Sequence, residues 1–316
     1  MRVVVTGGAG FIGGQTVLQL LNADHSVFAI DRSLDSNHLI DCGAKWLTAD
    51  FAGEVSLRAI ETFQPDAIIH CAGTSLVGPS MTNPAEYYDN NFVRTKILCD
   101  WLIRRKIKTR LIFSSSAATY GNPVITPCQE IDPCEPISPY GQSKLMTEWM
   151  LQAYKHAYGL DYVSFRYFNA CGADSQARHG QRLGATHIIA RVLENIRNAS
   201  CFTLNGTDFP TPDGTCVRDY IHVQDLADAH IRACDPAIPA DVYNLGTNQG
   251  HSNRQVIAMA EQVTGRSVDL LEAQARPGDP AMLTADATKF CKIANWSPRF
   301  GLEDTIRHAW AWYELF

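Results

Sequence analysis

The chain begins Met1-Arg2-Val3-Val4-Val5-Thr6-Gly7-Gly8-Ala9-Gly10-Phe11-Ile12-Gly13, and this stretch decides the fold. Its residues 2–5 form a β-branched apolar run without polar alternation, which predicts a strand buried on both faces of a parallel sheet. A glycine-rich turn follows, and apolar residues between 16 and 22 recur at helical spacing. Glycine at 7, 10 and 13 lets the backbone approach a pyrophosphate at the N-terminus of that helix. The stretch therefore predicts a dinucleotide site.

A second apolar run, from Ser26 to Ile30, ends at Asp31. An acidic residue near this distance from the glycine turn hydrogen-bonds the adenosine ribose in dinucleotide-binding folds. A carboxylate also repels a 2′-phosphate, so Asp31 favours NAD over NADP, although Arg32 follows it. The alternative is that Asp31 only caps the next loop.

The composition excludes several classes of partner. The 316 residues carry a formal net charge of −6, and 46% of them are hydrophobic. The basic run Arg104-Arg105-Lys106 is typical of a helix C-terminus, so we expect no nucleic-acid partner. No apolar run approaches the ~20 residues that span a bilayer, so we expect no membrane partner.

The ten cysteines include no Cys-x-x-Cys pair, which favours free thiols in a reducing compartment. We expect no secretory leader, because the first predicted strand begins without a preceding h-region or cleavage site. Together these features predict a cytoplasmic protein.

Alternating strand and helix signals in the first half predict an α/β fold: a Rossmann-type doubly wound parallel sheet with a smaller C-terminal α/β substrate domain. We expect residues 1–168 to bind the dinucleotide, with segments near 217–246 returning to that domain. The residues 169–316 then form mainly the substrate domain. His70, inside an apolar strand, is expected to be a hydrogen-bonded core residue rather than a catalytic one.

Two long helices are predicted at about 86–105 and 140–158. Both carry large apolar side chains beyond one core-facing stripe, notably Trp101, Trp149 and Met150. Surplus apolar surface on two helices predicts a homodimer that pairs through them.

Tyr140 and Lys144 are four residues apart on the second of these helices, so their side chains share a face. A tyrosine is a poor base at neutral pH, but a nearby ammonium and a cationic nicotinamide would lower the pKa of its phenol. Ser116 ends a preceding strand and can hydrogen-bond the same substrate hydroxyl. These three residues therefore predict a proton-transfer site.

Four aspartates in the second half superficially resemble a metal cluster: Asp213, Asp219, Asp225 and Asp228. Their irregular spacing and the lack of a paired histidine motif favour helix caps and solvated faces. We predict no metal site.

With these residues in view, the sequence resembles the extended short-chain dehydrogenase/reductase superfamily, and within it the UDP-glucose (UDP-galactose) 4-epimerase family. The resemblance covers nearly the whole chain. Its first-domain motifs are Thr6 to Gly13, His70-Cys71-Ala72-Gly73, Glu86 to Asn91, Phe113 to Ser116, and Pro139-Tyr140-Gly141 with Ser143-Lys144-Leu145. Its more specific second-domain motifs are Arg166 to Asn169, Thr211 to Val223, Arg276-Pro277-Gly278-Asp279, and Trp296 with Phe300-Gly301-Leu302.

The resemblance implies NAD-dependent epimerisation at C4 of a UDP-sugar, through transient oxidation to a 4-keto intermediate. It implies the catalytic residues Ser116, Tyr140 and Lys144. The implied NAD contacts are Gly7, Gly10, Phe11, Ile12, Gly13, Asp31, Asp50, Phe51, Ala72, Gly73, Asn90, Ser114, Tyr140, Lys144 and Phe168. The implied substrate contacts are Ser116, Tyr140, Asn169, His187, Arg218, Arg276 and Asp279. Two arginines beside a diphosphate also make independent electrostatic sense, with surface salt bridges as the alternative.

Three positions depart from the family pattern. Ser75 stands where a lysine is frequent, His187 falls near a nucleotide-contacting asparagine, and Leu283 replaces a pocket-lining tyrosine. The preferred sugar therefore stays open among UDP-glucose, UDP-GlcNAc and a pentose such as UDP-xylose.

Two other functions also stay open. A nucleotide-sugar 4,6-dehydratase or reductase belongs to the same superfamily, but dehydratases typically carry an Asp-Glu pair where this chain has Ala117-Ala118. A catalytically silent NAD-binding regulator is disfavoured by the intact catalytic residues.

Overall fold

The computed structural model describes residues 1–33, 37–276 and 278–316; the motif residue Pro277 lies outside them. The chain divides into two compact units. The first unit comprises Met1–Gly121, Pro133–Tyr167 and Ala227–Tyr243, and the second comprises Asn122–Asp132, Phe168–Leu226 and Asn244–Phe316.

The strands follow the alternation that the sequence predicts. In chain order they are β1 (Arg2–Thr6), β2 (Ser26–Asp31), β3 (Lys45–Thr48), β4 (Ala67–His70), β5 (Arg110–Ser116), β6 (Tyr162–Tyr167), β7 (Asn169–Cys171), β8 (Phe202–Asn205), β9 (Val217–His222), β10 (Val242–Leu245), β11 (Gly250–Ser252), β12 (Leu270–Ala273) and β13 (Met282–Leu283).

The helices lie between these strands. They are α1 (Phe11–Asn22), α2 (Asn37–Asp41), α3 (Glu54–Phe63), α4 (Val77–Ser80), α5 (Pro84–Tyr87), a π-helix (Tyr88–Val93), α6 (Arg94–Arg104), a 3₁₀-helix (Ala117–Thr119), α7 (Pro139–Tyr158), α8 (Ile188–Arg197), α9 (Val223–Ala233), α10 (Asn253–Thr264), α11 (Thr288–Ile293) and α12 (Leu302–Tyr313).

The main sheet has the strand order β10-β6-β5-β4-β1-β2-β3. The pairings of β1 with β2 and β4, of β2 with β3, and of β5 with β4 and β6 are parallel. Val3, Val4 and Val5 are fully buried, which fits a central strand covered on both faces. The order reverses beside β1, where ligands of doubly wound sheets bind. The predicted Rossmann-type α/β fold is confirmed.

Helix α7 has clear start and stop signals. Ser138 caps its N-terminus by accepting a hydrogen bond from the backbone N–H of Gly141, and Pro139 occupies its first turn. Gly159 ends the helix in the left-handed conformation, with φ +71°. One prediction about this helix was wrong, because Met150 packs in the core of the first unit. Trp149, by contrast, is 60% exposed.

The predicted helix at 86–105 is also more complex than expected. It begins at Pro84 and is interrupted by the π-helix before α6 continues to Arg104. A π-turn adds a residue to the hydrogen-bonded ring, so the 3.6-residue period of the sequence cannot indicate it.

The second unit has its own sheets and core. Strand β9 pairs with β7, β11 and β13, and β8 pairs with β12. Its core lies between α8, α10 and α12, where Val192, Val256 and Ile306 are fully buried. Ser252 and Gln255 form a capping box that fixes the start of α10 beside β11.

All ten cysteines are free, as the sequence predicts. Over the described ranges, no helix is both long enough and apolar enough to cross a membrane.

Candidate active site

The glycine turn joins β1 to α1 and packs against the end of β4. Gly7 has φ +72°, and a Cβ there would lie 2.6 Å from the backbone nitrogen of Ala72. A Cβ on Gly13 would lie 2.1 Å from the carbonyl oxygen of Gly7. Neither position admits a side chain. Gly10 precedes α1 and, having no side chain, does not cap that helix through a side-chain hydrogen bond.

A cleft in the first unit opens over this turn. Eight of its lining residues are predicted NAD contacts: Gly7, Gly10, Asp31, Asp50, Phe51, Ala72, Gly73 and Asn90. Sequence reasoning missed five others: Ile30, Arg32, Ala49, Cys71 and Arg94. Phe11, Ile12 and Gly13 form the first turn of α1 beside it.

Asp31 ends β2 at the cleft and holds two backbone segments. Its Oδ2 accepts a hydrogen bond from the N–H of Ala9 at 3.0 Å, and its Oδ1 accepts one from Ser33 at 2.9 Å. Asp31 therefore both caps the following loop and lines the cleft.

The π-helix directs two adjacent asparagines toward the segment after β4. Asn90 donates to Thr74 Oγ1 at 2.9 Å and lines the cleft. Asn91 accepts from the N–H of Thr74 at 2.7 Å and donates to Ser143 Oγ on α7 at 2.9 Å. This bonding fixes the loop that contains Gly73. Ser75, one of the departures from the family pattern, is exposed in the same loop.

The structure brings Ser116, Tyr140 and Lys144 together in the first unit. Ser116 ends β5, and its hydroxyl lies near enough to the Tyr140 phenol to influence the pKa of that phenol. Tyr140 lies in the first turn of α7 and is 8% exposed. Lys144 follows one turn later, with its Nζ 6.0 Å from the centre of the Tyr140 ring. Its Nζ donates to the backbone carbonyl of Ser114 at 2.7 Å.

Burial dominates the electrostatics of these groups. It raises the pKa of the Tyr140 phenol, and the nearby Ser116 hydroxyl opposes that rise. Burial lowers the pKa of Lys144 to about 8, against the attraction of Cys71 and Glu148. The sequence led us to expect a lowered pKa for Tyr140. Within the chain itself the direction is the opposite, because desolvation disfavours the phenolate.

A buried ion pair supports the ends of β5 and β6. Arg166 binds Glu148 of α7 through two nitrogens, with 2.7 Å between Nη2 and Oε2. Ser115 donates a short hydrogen bond to the same carboxylate. Glu148 lies one turn after Lys144, so the ion pair connects α7 to β6, and the Ser115 bond connects α7 to β5, which carries Ser114 and Ser116. The sequence placed Arg166 in a motif but assigned no role to Glu148.

Ser114 is held from a second side. The hydroxyl of Tyr167 donates to Ser114 Oγ at 2.7 Å and also hydrogen-bonds to His230.

His70 is a core residue, as predicted: it is fully buried between the hydroxyls of Thr6, at 2.6 Å, and Thr95, at 2.8 Å.

A separate cleft lies within the second unit. Its lining contains five predicted substrate contacts: Asn169, His187, Arg218, Arg276 and Asp279. The lining residues that sequence reasoning missed are Thr186, Ile188, Arg191, Phe202, Thr203, Leu204, Asn205, Cys216, Tyr220 and Asn253. Phe168, a predicted NAD contact, is buried in this unit and donates its N–H to the carbonyl of Leu245.

Three strands set the surroundings of Arg218. In the register of the sheet, Arg218 on β9 lies between His251 of β11 and Leu283 of β13. Side chains directly opposite one another on paired strands share a face of the sheet. Leu283 therefore lies beside the cleft-lining Arg218.

The four aspartates considered above have other partners. Asp219 accepts hydrogen bonds from Thr247, Asn248 and Ala285, and Asp225 accepts them from Arg299 and Phe300. The residues that the structure describes contain no group of three or more potential metal ligands.

Comparison with known proteins agrees with this geometry. The chain belongs to the NAD dependent epimerase/dehydratase family, whose model matches residues 3–246. The UDP-glucose 4-epimerase of Halalkalibacterium halodurans is 40% identical to it, across 99% of this chain and 96% of that protein.

Solved structures are similarly close. The Stenotrophomonas maltophila UDP-glucose-4-epimerase, crystallised with NAD and formylated UDP-arabinopyranose, matches with a TM-score of 0.94 and 31% identity, over 100% of this chain and 98% of that one. The Campylobacter jejuni UDP-Glc/GlcNAc 4-epimerase matches with a TM-score of 0.85 and 34% identity, over 100% and 99%. The resemblance to 4-epimerases of the extended short-chain dehydrogenase/reductase superfamily is confirmed.

Proposed function

We propose that this protein interconverts the C4 epimers of a UDP-sugar, with NAD as a bound cofactor. The observation that carries the proposal is that Ser116, Tyr140 and Lys144 come together in the same unit as the dinucleotide cleft. A cleft alone would suit any NAD-binding protein. A tyrosine base with a lysine on the same helix face adds a site that removes a proton from a hydroxyl.

In the proposed reaction, Tyr140 accepts the proton of the sugar 4-hydroxyl, which Ser116 holds by a hydrogen bond. When bound, NAD supplies a reversible hydride acceptor for the oxidation of C4 to a ketone. The cationic Lys144 stabilises the phenolate electrostatically. Tyr140 then returns the proton after the ketone is reduced on its opposite face, so the reaction consumes no cofactor.

We further propose that the cleft of the second unit binds the UDP part of the substrate, and that the first unit binds NAD. Arg218 and Arg276 line that cleft and match the charge of a diphosphate. Recognition through UDP leaves the sugar ring free to turn between oxidation and reduction.

UDP-glucose and UDP-galactose are the proposed substrates, with the N-acetyl forms as further candidates. Leu283 beside Arg218 is the observation that favours including the larger sugars, because it leaves more space than the tyrosine of the family pattern.

The test is to incubate the purified protein with UDP-glucose, UDP-GlcNAc and UDP-xylose and to separate the products by chromatography. A C4 epimer formed without added NADH supports the proposal. A 4-keto-6-deoxy sugar would instead identify a dehydratase, and no turnover of any sugar would favour an NAD-binding regulator. Tyr140→Phe should abolish epimerisation while NAD binding persists.

We also propose a homodimer that pairs through α6 and α7. Trp149 on α7 is 60% exposed, Ile97 on α6 is 38% exposed, and Val93, at the end of the π-helix that leads into α6, is 42% exposed. Such side chains favour burial against a second copy. Sedimentation should give a dimer that Trp149→Glu converts to monomer; a monomeric wild type would contradict this.

The free cysteines fit a location in the reducing cytoplasm.

A further inference from the structure

Arg94 lines the dinucleotide cleft, but no sequence pattern assigned it a function. It is the first residue of α6, directly after the π-helix, and its side chain is 32% exposed. It lines the same cleft as Asp31 and Asp50, so it is available to a bound dinucleotide.

Two carboxylates fix the orientation of the Arg94 guanidinium. Its Nη1 makes a short ion pair with Asp50, and its Nε donates to Asp89 Oδ2 at 2.9 Å. Asp50 is itself held, because its Oδ1 accepts from the N–H of Ala52 at 2.9 Å. A planar group bonded along two edges loses little further freedom when a ligand contacts its face.

Arg94 belongs to the adenosine half of the cleft. Asp31 ends β2, and Asp50 follows the end of β3, on the side of β1 where this fold binds adenosine. The glycine turn after β1 is the pyrophosphate position. Arginine faces stack favourably on nucleobases and other aromatic rings.

The local charge argues against a 2′-phosphate as the partner of Arg94. Arg32 and Arg94 contribute +2, and Asp31, Asp50 and Asp89 contribute −3, so the formal sum is −1. Because both carboxylates bound to Arg94 already balance its charge, its planar face is the feature left for a ligand.

We propose that Arg94 is a cofactor-binding residue that contacts the adenosine half of NAD and slows its release. The inference rests on the proposed function, since it takes NAD as the ligand. Arg94 is not among the NAD contacts that the sequence predicted. In this proposal, Asp50 and Asp89 orient the Arg94 guanidinium for contact with the cofactor.

The test measures NAD binding to protein stripped of nucleotide, by calorimetry and by stopped-flow tryptophan fluorescence. Arg94→Met keeps the length of the side chain but removes the planar cation, and it should raise the dissociation constant about tenfold, mainly through a faster dissociation rate. Arg94→Lys retains the positive charge but lacks the planar guanidinium, so its affinity for NAD should lie between those of Arg94→Met and the wild type. Arg58→Met removes an exposed arginine paired with Glu54 in the same unit and should leave binding unchanged.

Equal NAD affinity, within a factor of two, for wild type and Arg94→Met would overturn the inference and leave the proposed function standing. Failure of the wild type to bind NAD would instead remove the proposed function. Preferential binding of NADP that Arg94→Met abolishes would identify a phosphate receptor and also overturn the inference. If Arg94→Met does not fold, Asp89→Asn replaces it: it loosens one edge of the guanidinium and should raise the dissociation constant about two- to threefold.

Discussion

The side-chain ammonium of Lys144 donates a hydrogen bond to the backbone carbonyl of Ser114, with 2.7 Å between nitrogen and oxygen. This bond connects α7 to β5, which carry Tyr140 and Ser116 respectively. Lys144 therefore has a positioning contact in addition to the electrostatic role that we propose for it. Since burial lowers the pKa of Lys144 to about 8, its charge is lost at mildly alkaline pH.

Lys144→Met should lower kcat for epimerisation at least 100-fold, because it removes the cation that stabilises the Tyr140 phenolate. In the wild type, kcat should decline as the pH rises through about 8, where Lys144 loses its proton. Steady-state kinetics from pH 6 to 10 check both effects. A methionine variant that keeps half of the activity would exclude this role.

Arg218→Met and Arg276→Met should each weaken UDP binding about tenfold, since each removes a charge-assisted hydrogen bond to a diphosphate. Calorimetric titration with UDP measures this directly. Arg307→Met is the matched control, because Arg307 pairs with Glu303 and Asp304 on the exposed face of α12. Equal effects at all three positions would show that the cleft does not bind the nucleotide.

Glu148→Gln should destabilise the protein by about 3–5 kcal/mol, since Arg166 would stay buried without its carboxylate. The side chains of this pair are only 3% and 6% exposed. Glu54→Gln removes the exposed pair with Arg58 and should cost less than about 1 kcal/mol. Urea unfolding followed by tryptophan fluorescence compares the two, and similar losses would contradict the argument.

Burial, together with the neighbouring Lys144 charge, lowers the pKa of His70 to about 3. The unfolded chain takes up this proton below about pH 6.5, so the stability from neutral His70 is complete above that pH and is lost as the pH falls toward 3. At pH 5 the loss should be about 2 kcal/mol. In His70→Gln the difference in unfolding free energy between pH 7.5 and pH 5 should shrink accordingly.

His156→Gln controls for the His70 experiment, because His156 is exposed on α7. An unchanged pH dependence in His70→Gln, or an equal change in both variants, would refute the assignment to His70.

Leu283→Tyr should narrow the space beside Arg218 and lower kcat/KM for UDP-GlcNAc at least tenfold relative to UDP-glucose. Met282→Tyr adds the same ring on the opposite face of β13 and should leave the ratio unchanged. Kinetics with both sugars provide the measurement. If Met282→Tyr shifts the ratio as much, Leu283 does not line the sugar pocket.

The sequence was sufficient to predict the main sheet and eight of the residues that line the dinucleotide cleft, because these depend on local signals. Apolar runs such as Val3 to Val5 and the glycines at 7 and 13 indicate strands and a turn without knowledge of the rest of the chain. The five predicted substrate contacts that line the second-unit cleft were identified from family motifs. No periodicity in the sequence connects Asn169 with Arg276.

The residues that sequence reasoning missed depend on contacts between distant segments. Arg94 reaches Asp50 across 44 positions, and Arg166 reaches Glu148 across 18. Neither pair leaves a pattern in the sequence. Burial raises the pKa of the Tyr140 phenol in the chain alone, and the sequence could not indicate this effect. Residue spacing indicates which charges are near, but not how far water is excluded.

The chain passes between its two compact units five times, after residues 121, 132, 167, 226 and 243. A gene fragment cut at the apparent boundary near residue 168 would therefore encode a first unit without Ala227–Tyr243, which supplies half of the edge strand β10. Recombination at that point would separate pieces of one folded body. The first unit is therefore complete only when the chain continues as far as Tyr243.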